Sequence, residues 1–230
     1  GMGTMLQAAG LKLGARPEEL NITDPALIEG IHGQYAAAGS RIVNANTFGA
    51  SAHKLAGSAY TLEQVITAGI ANCKRACAPY GALTALDVGP LGELLEPSGT
   101  LAFEDAVAEY ARIVKAGETA GADLIFFETY TDLYELKAAL LAAKENTHLP
   151  ILASMSFEAG GRTFTGCTVE SFAATARGLG ADAVGINCSL GPKEIFPMAK
   201  RLAEAVPGNF PVFVKPNAGL PRADGSGYDI

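Results

Sequence analysis

The feature that most constrains this fold is the alternation of short apolar segments with longer helical patterns along 230 residues. Each short segment is apolar nearly throughout, which is typical of parallel strands buried on both faces of a sheet. Strand–helix units in succession predict a parallel sheet, either closed as a barrel or open and doubly wound. The predicted strands are 41–46, 83–88, 123–128, 150–155, 182–187 and 211–215.

Helix-starting signals occupy the gaps between the predicted strands. Thr61 and Gln64 have the spacing of a capping box, in which two side chains and two backbone amides pair reciprocally. Asp132 and Glu135 have the same spacing and predict a reciprocal cap at the start of the fourth helix. No linker or change in composition separates the units, so residues 1–230 are predicted to form one domain. Because the sequence starts and stops abruptly, this domain is predicted to be incomplete at both ends.

Charge and composition narrow the classes of partner. The net charge of −7 argues against binding to a nucleic acid, which is itself a polyanion. The sequence has no apolar run of membrane-spanning length and no signal-peptide pattern, so we expect no membrane partner and a cytoplasmic location. Four cysteines in a chain of this length do not form a disulfide framework.

Polar residues follow the apolar segments, at the positions where the predicted strands end. In a barrel and in an open parallel sheet alike, active sites lie at the carboxyl ends of the strands. Asparagine, glutamate and cysteine recur there beside glycine turns, which indicates a functional site more strongly than polar loops alone. The candidate site residues are Asn46, Gly89, Glu128, Ser154, Asn187, Cys188, Lys215 and Asn217.

Several of these residues also have a structural interpretation. Cys188 is a candidate zinc thiolate or a small buried packing residue. Glu128 ends an apolar strand, where a carboxylate is costly to bury unless something pairs with it, and a salt bridge to a neighbouring helix is one solution. Asn217 either lines a pocket or holds its loop as an Asx-turn. Ser154 either contacts a substrate or fills a packing position.

The ordered set of motifs resembles the homocysteine S-methyltransferase family, and within it the homocysteine-binding barrel of cobalamin-dependent methionine synthases. The likeness runs from end to end of the chain. GMGTMLQ at its start resembles the end of that family's first strand and loop, which usually reads D-G-x-M-G-T. The motifs are NANTFGA (44–50), DVGPLG (87–92), FETYTD (127–132), GINCSLGP (185–192) and KPNAGLP (215–221).

The resemblance implies a TIM-type (β/α)₈ barrel whose first strand is truncated and whose eighth strand, with a G-G-C-C-G motif, is missing from residues 1–230. The implied reaction is zinc-dependent methyl transfer to the thiol of homocysteine, which forms methionine. Methylcobalamin is the implied donor, with folate- and cobalamin-binding domains or subunits as partners. Relatives with a similar barrel use betaine or S-methylmethionine, so the donor stays open.

The resemblance makes Cys188 the first of three zinc thiolates, and the other two are an adjacent cysteine pair expected beyond Ile230. Asn217 is a further candidate zinc ligand when substrate is absent. Three protein ligands leave a fourth position for the substrate thiol, which is the pattern of a catalytic zinc. We expect residues 1–230 alone not to complete this tetrahedron.

The same resemblance predicts the residues that bind substrate. Glu128 is expected to anchor the amino group of homocysteine. Asn46 and Asn187 are expected to point toward the mouth as hydrogen-bond donors, and Ser154 to contact the substrate carboxylate. Gly89 is expected to let its loop pass close to the substrate.

Two interpretations from other functional classes stay open. Lys215 lies at a strand end, where an amine with a lowered pKa forms a Schiff base with a carbonyl substrate. A barrel without its eighth strand is also compatible with a non-catalytic binding module. Cys73 and Cys77, four residues apart on a predicted helix, are interpreted as helix packing, and Cys167 as a bystander in a loop near the mouth.

Overall fold

The fold is built on a single parallel sheet. The computed structural model describes residues 1–12, 14–221 and 228–229. In this part of the chain six strands pair in sequence order, each parallel to the next, which confirms the predicted succession of strand–helix units. The six strands are Ile42–Asn44 (β1), Leu83–Val88 (β2), Leu124–Tyr130 (β3), Ile151–Met155 (β4), Ala183–Asn187 (β5) and Val212–Lys215 (β6), and a separate antiparallel pair is Leu220–Pro221 (β7) and Tyr228–Asp229 (β8).

The parallel sheet is curled into part of a barrel, because strands that are not neighbours touch across its inner side. The rings of Phe126 on β3 and Phe213 on β6 have centroids 5.1 Å apart. In a flat sheet these two strands would lie about 14 Å apart, at roughly 4.8 Å per strand. The curl therefore matches the predicted TIM-type barrel and excludes the open doubly wound sheet. The apolar side chains inside the curl are Ala85, Leu124, Phe126, Leu152 and Phe213.

Helices alternate with the strands and cover the outer face of the sheet, where the main apolar core lies. No helix in the described ranges is long and apolar enough to cross a membrane. The α-helices are Met2–Ala8 (α1), Leu20–Thr23 (α2), Pro25–Ala37 (α3), Leu62–Cys77 (α4), Phe103–Thr119 (α5), Leu133–Asn146 (α6), Val169–Gly178 (α7) and Pro192–Glu204 (α8), with 3₁₀ turns at Pro17–Glu19 and Ala78–Tyr80.

The two predicted capping boxes have different outcomes. At α4 the box is confirmed, because the Gln64 amide donates to Thr61 Oγ1 at 3.3 Å and the Thr61 amide donates to Gln64 Oε1 at 2.9 Å. At α6 the Asp132 carboxylate accepts from the Tyr134 amide at 3.0 Å, so Asp132 does cap the helix. The prediction of a reciprocal hydrogen bond from Glu135 to the start of the helix is wrong, because the Glu135 side chain is buried in the core.

Glu135 instead ties two neighbouring units of the barrel together. Its Oε1 accepts from the Leu91 amide at 2.7 Å and from the Tyr110 hydroxyl at 2.9 Å. Burial raises the pKa of the Glu135 carboxyl, and these two donors oppose the rise. A buried carboxyl with two partners fixes the loop after β2 against α5 and α6.

The first residues differ from the sequence-based expectation. Residues 2–8 form the helix α1, whereas the likeness of GMGTMLQ to the family motif predicts the end of a strand and its loop. Leu6 on this helix packs with Ile28 and Ile31 of α3 in a small apolar cluster. Burial of this face against α3 accounts for the helix, because most helical stability in proteins comes from packing of one apolar face.

Cys73 and Cys77 lie on α4 with both thiols buried against the sheet. The two sulfurs are 3.8 Å apart, and Cys73 Sγ lies 3.6 Å from the carbonyl oxygen of Val43. Burial raises the pKa of both thiols, so they stay protonated and act as small apolar residues. Their position fits the packing role expected from the sequence.

Candidate active site

A cavity of about 530 Å³ opens where the parallel strands end. Its volume lies in the range of small-molecule sites, about 300–1,000 Å³. Side chains from β1, β2, β3 and β6, and from the residue after β5, converge on it, because the carboxyl ends of parallel strands share one edge of the sheet. The polar residues that reach it from these strand ends are Asn44, Asp87, Glu128, Thr129, Cys188 and Lys215.

Glu128 and Lys215 form an ion pair across the mouth of the curled sheet. Lys215 Nζ lies 2.6 Å from Glu128 Oε2 and 4.6 Å from the centroid of the Phe126 ring. The Glu128 side chain is 14% exposed and that of Lys215 is 46% exposed. Glu128 therefore pairs with a lysine of a distant strand, and the sequence-based alternative of a salt bridge to a neighbouring helix is wrong.

Asp87 is a second carboxyl at the floor of the cavity, on β2. It is buried, and its Oδ1 has no hydrogen-bond partner among the described residues. Burial raises the pKa of Asp87 well above its ordinary value, the nearby Glu128 raises it further, and Lys215 opposes both. Asn44 Nδ2, which lines the same cavity, is also buried without a hydrogen bond to a described residue, although it lies close enough to Asp87 to oppose the rise in its pKa. These unpaired polar atoms mark a place for a polar ligand.

Cys188 projects from the turn that follows β5 and is half-buried at the cavity wall. Its backbone has φ of 59°, Ser189 has 62°, and Thr129 on β3 has 67°. Left-handed backbone is uncommon for residues other than glycine and is an outlier for a β-branched residue such as Thr129. Such strain is found mainly at functional sites, where the surrounding structure holds it in place. Here it sets the direction of the thiol.

Asn187 holds the carboxylate and the thiol in one arrangement. Its Nδ2 donates to Thr129 Oγ1 at 2.8 Å and lies 3.4 Å from both Glu128 Oε2 and Cys188 Sγ. Its Oδ1 accepts from the Thr129 amide at 3.0 Å and from Ser154 Oγ at 2.8 Å. Asn187 and Ser154 are both fully buried beneath the cavity and do not line it.

Two other asparagines predicted for the site are placed differently from each other. Asn46 lines the cavity wall, but its amide donates to the carbonyl of Pro17 at 2.8 Å and to Asn21 Oδ1 at 2.9 Å. Its donors therefore hold the wall together. Asn217 follows β6 and is half-buried, outside the cavity lining. Its backbone amide donates to the carbonyl of Leu190 at 3.0 Å, which ties the loop after β6 to the loop after β5.

Gly89 shapes the cavity through an aromatic side chain. A Cβ at this position would lie 2.5 Å from the ring of Phe48, which lines the cavity. The Gly89 amide donates to the carbonyl of Phe48 at 3.1 Å, and its own carbonyl accepts from the Tyr130 hydroxyl at 3.2 Å. The glycine predicted to allow close approach of a substrate thus allows close approach of the Phe48 ring.

Sequence reasoning missed several residues that line the cavity. Asp87 and Thr129 lie inside the motifs DVGPLG (87–92) and FETYTD (127–132). For Asp87, the presence of a polar residue within an apolar strand is a signal that could have found it. Glu18 is buried and accepts from the Gly49 amide at 2.7 Å, and burial raises its pKa. His32 is buried on α3, and burial lowers its pKa to about 4, so the imidazole is neutral at pH 7. Nothing local distinguishes Glu18 or His32 from surface residues.

The thiol of Cys188 is suited to a soft metal such as zinc. Cys73 and Cys77 lie on the outer side of the sheet, and Cys167 lies in the loop before α7, where its Sγ is 3.2 Å from the carbonyl of Thr168. Among the described residues, no group of three His, Cys, Asp or Glu side chains converges on a possible metal position. The cavity thus supplies one fitting zinc ligand, and this part of the chain does not supply the rest of a tetrahedron.

Comparison with known proteins gives a consistent result. A family model described as homocysteine S-methyltransferase matches residues 1–230. Methionine synthases of Mycobacterium tuberculosis and Mycobacterium leprae are 32% and 31% identical over 251 and 252 aligned positions, which cover 100% of this chain but 21% and 20% of those proteins. The metallated form of the homocysteine methyltransferase MmuM from Escherichia coli superposes with a TM-score of 0.84 at 22% identity, over 95% of this chain and 82% of that one.

Proposed function

We propose, from the premise that this chain belongs to the homocysteine S-methyltransferase family, that it binds homocysteine in the cavity and promotes methylation of the thiol to give methionine. The chain spans about a fifth of the length of the curated relatives it matches, and those relatives are methionine synthases. The observation that carries the proposal is the shared Asn187 amide, which lies 3.4 Å from both the Glu128 carboxylate and the Cys188 thiol.

The two ends of homocysteine match the two groups that Asn187 holds together. A carboxylate favours an ammonium group, and charge-assisted hydrogen bonds of this kind are the strong ones. Glu128 would therefore take the amino group of the substrate, which directs the substrate thiol toward Cys188. The strained backbone at Thr129 and Cys188 and the amide of Asn187 keep this spacing fixed before substrate arrives.

The thiolate, not the thiol, is the nucleophile in methyl transfer to sulfur. A free thiol has a pKa of about 8.5, so at neutral pH most homocysteine is protonated. A zinc ion, when bound, supplies the positive charge that keeps a coordinated thiol deprotonated. We propose Cys188 as one zinc ligand, with the two further thiolates of the family pattern coming from outside the described part of the chain.

The methyl donor is proposed to be methylcobalamin, carried by folate- and cobalamin-binding domains or subunits. This proposal is supported by the similarity to two methionine synthases. Each of them is about one third identical to this chain and about five times as long. Betaine and S-methylmethionine are the alternative donors. A cytoplasmic location stays a prediction from the sequence.

The geometry of the site supports the two alternative functions, a Schiff-base enzyme that uses Lys215 and a non-catalytic binding module, less well than methyl transfer. A Schiff base forms from a neutral amine, whereas Lys215 is engaged as an ammonium group in the ion pair with Glu128. A non-catalytic binding module does not need strained backbone around a thiol that faces a cavity. The site therefore favours chemistry at sulfur.

Formation of methionine tests the proposal directly. The complete protein is incubated with homocysteine in three separate reactions, each with one donor: methylcobalamin, betaine or S-methylmethionine. Methionine is quantified in each reaction by mass spectrometry. We expect methionine with methylcobalamin. Formation with betaine or S-methylmethionine alone would reassign the donor and keep the acceptor. No methionine with any donor, from protein that binds homocysteine, would leave only the binding module.

A further inference from the structure

The ammonium group of Lys215 sits on the carboxylate that the proposed function assigns to the amino group of the substrate. Lys215 is the last residue of β6 and Glu128 lies on β3, so their 2.6 Å contact spans the mouth of the cavity. Both side chains line that cavity. A substrate ammonium and the Lys215 ammonium therefore compete for the same Oε2 acceptor.

The surroundings of this contact are those of a cation site. The Lys215 ammonium lies 4.6 Å from the centroid of the Phe126 ring, and an aromatic face attracts a cation within about 6 Å. Asp87, a second carboxyl of the cavity floor, lies close to both groups of this ion pair: beyond the effect of burial, Glu128 raises the pKa of Asp87 and Lys215 lowers it. Its Oδ1 is buried and lacks a partner in the described ranges. An ammonium group has three donors, so one cation can serve both carboxyls.

Lys215 is able to leave this position. Its side chain is 46% exposed, whereas that of Glu128 is 14% exposed, so the lysine reaches the pair from the solvent side. The four-carbon stem of lysine is flexible, and its ammonium group is readily hydrated once released. If Lys215 leaves with nothing in its place, however, Glu128 keeps a mostly buried and unpaired charge.

We infer that Lys215 is an internal occupant of an ammonium subsite formed by Glu128 and Asp87, which an amine-bearing substrate must displace. The inference rests on the proposed function, since it takes Glu128 as the amine anchor. A competing ligand can bind only while the internal occupant is away from the site. Its apparent association constant is therefore the intrinsic constant multiplied by the fraction of time for which the site is free. A ligand without an amine leaves Lys215 in place and meets no such competition. Lys215 thus sets how strongly the site selects for an amine.

Two simple thiols separate these effects. 3-Aminopropane-1-thiol carries the amine of homocysteine without its carboxylate, which excludes a compensating contact between that carboxylate and Lys215. Propane-1-thiol lacks both groups. Dissociation constants for both thiols are measured by titration calorimetry on the complete protein and on its Lys215→Met and Lys215→Arg variants, with Lys215→Gln as a second neutral variant.

We expect Lys215→Met and Lys215→Gln to bind 3-aminopropane-1-thiol about 3- to 10-fold more tightly than the unchanged protein, since the competitor is gone. Affinity for propane-1-thiol should stay the same. Lys215→Arg keeps a cation at the position and should retain the affinities of the unchanged protein. A purely structural role for Lys215 would change both thiols together.

Equal or weaker binding of the aminothiol by both neutral variants would overturn the inference. The Glu128→Gln variant shows which level has failed. If that variant loses affinity for the aminothiol while Lys215→Met gains none, Glu128 remains the amine anchor and only the competition is refuted. If Glu128→Gln also leaves the affinity unchanged, the cavity has no ammonium subsite, and the assigned role of Glu128 falls with it.

Discussion

Replacing Glu128 by glutamine tests the amine anchor of the site. The change keeps the shape of the side chain and removes its charge, so the substrate ammonium loses a charge-assisted hydrogen bond. Hydrogen bonds to charged groups contribute about 1.5–3 kcal/mol. At 1.4 kcal/mol per tenfold, this corresponds to about 10- to 150-fold in the dissociation constant for homocysteine.

The structure places the expected effect near the lower end of that range. Glu128 is only 14% exposed, so solvent screens its charge weakly. Lys215, however, already uses the same Oε2, and the substrate gains only the difference between its own contact and the one it displaces. We therefore expect Glu128→Gln to weaken homocysteine binding about tenfold.

Titration calorimetry with homocysteine measures this change on the complete protein. Zinc content should stay the same, because Glu128 is not among the expected metal ligands. The matched control is Glu145→Gln near the end of α6, which removes an exposed carboxylate at the end of the strand–helix units opposite the cavity. An affinity within twofold of the unchanged protein would remove Glu128 from the substrate site, and a loss in the control of the same size would point to a general effect of charge.

Two further predictions concern stability. Gly89→Ala should lower the unfolding free energy by about 1–3 kcal/mol, because the added Cβ would lie 2.5 Å from the Phe48 ring. Thermal unfolding measures the loss, and Gly30→Ala, whose Cβ meets no described atom within 4 Å, should show none. Asp87 has a raised folded pKa, so the folded state binds its proton more tightly, and stability falls as pH rises from about 3.9 toward the folded value. Asp87→Asn should remove that fall in urea unfolding across the same pH range, and an unchanged pH profile would contradict the assignment.

The sequence predicts the parts of this molecule that depend on local pattern. Short apolar segments located the parallel strands to within a few residues, because strands buried on both faces leave a continuous apolar run. The strand ends then placed Glu128 and Cys188 at one cavity, since parallel strands end at a common edge. The family resemblance predicts a barrel. The periodicity of the sequence alone does not distinguish a barrel from an open parallel sheet.

Contacts between distant segments lie outside the reach of such patterns. The spacing of Asp132 and Glu135 is that of a capping box, but Tyr110 and the Leu91 amide provide the buried Glu135 with better partners. Whether a polar residue lines the cavity or lies beneath it depends on the strand face and the curl of the sheet. For this reason Ser154, expected to contact the substrate carboxylate, instead hydrogen-bonds to a buried asparagine.

Asp87 shows the same limit from the other side. Its position within an apolar strand is a local signal that the site prediction did not use, and the sequence does not show that Glu128 and Lys215 gather around it from β3 and β6. β3 pairs directly with β2, but only the curl of the sheet brings β6 close to both of them. The identity of a residue at a strand end is therefore a weaker guide than the set of strands that meet there.

Paired zinc and methionine measurements test most directly whether Cys188 supplies a zinc thiolate for methyl transfer. Zinc content and methionine formation are determined on the complete protein, on Cys188→Ser and on Cys167→Ser, whose cysteine lies in the loop before α7. Zinc affinity depends on deprotonated ligands that converge from a folded site, so the loss of one of three thiolates should weaken binding of the metal strongly. We expect one zinc per chain and methionine from the complete protein and from Cys167→Ser, and neither from Cys188→Ser. A Cys188→Ser protein that keeps zinc and forms methionine would make Cys188 a packing residue and contradict the zinc-thiolate mechanism.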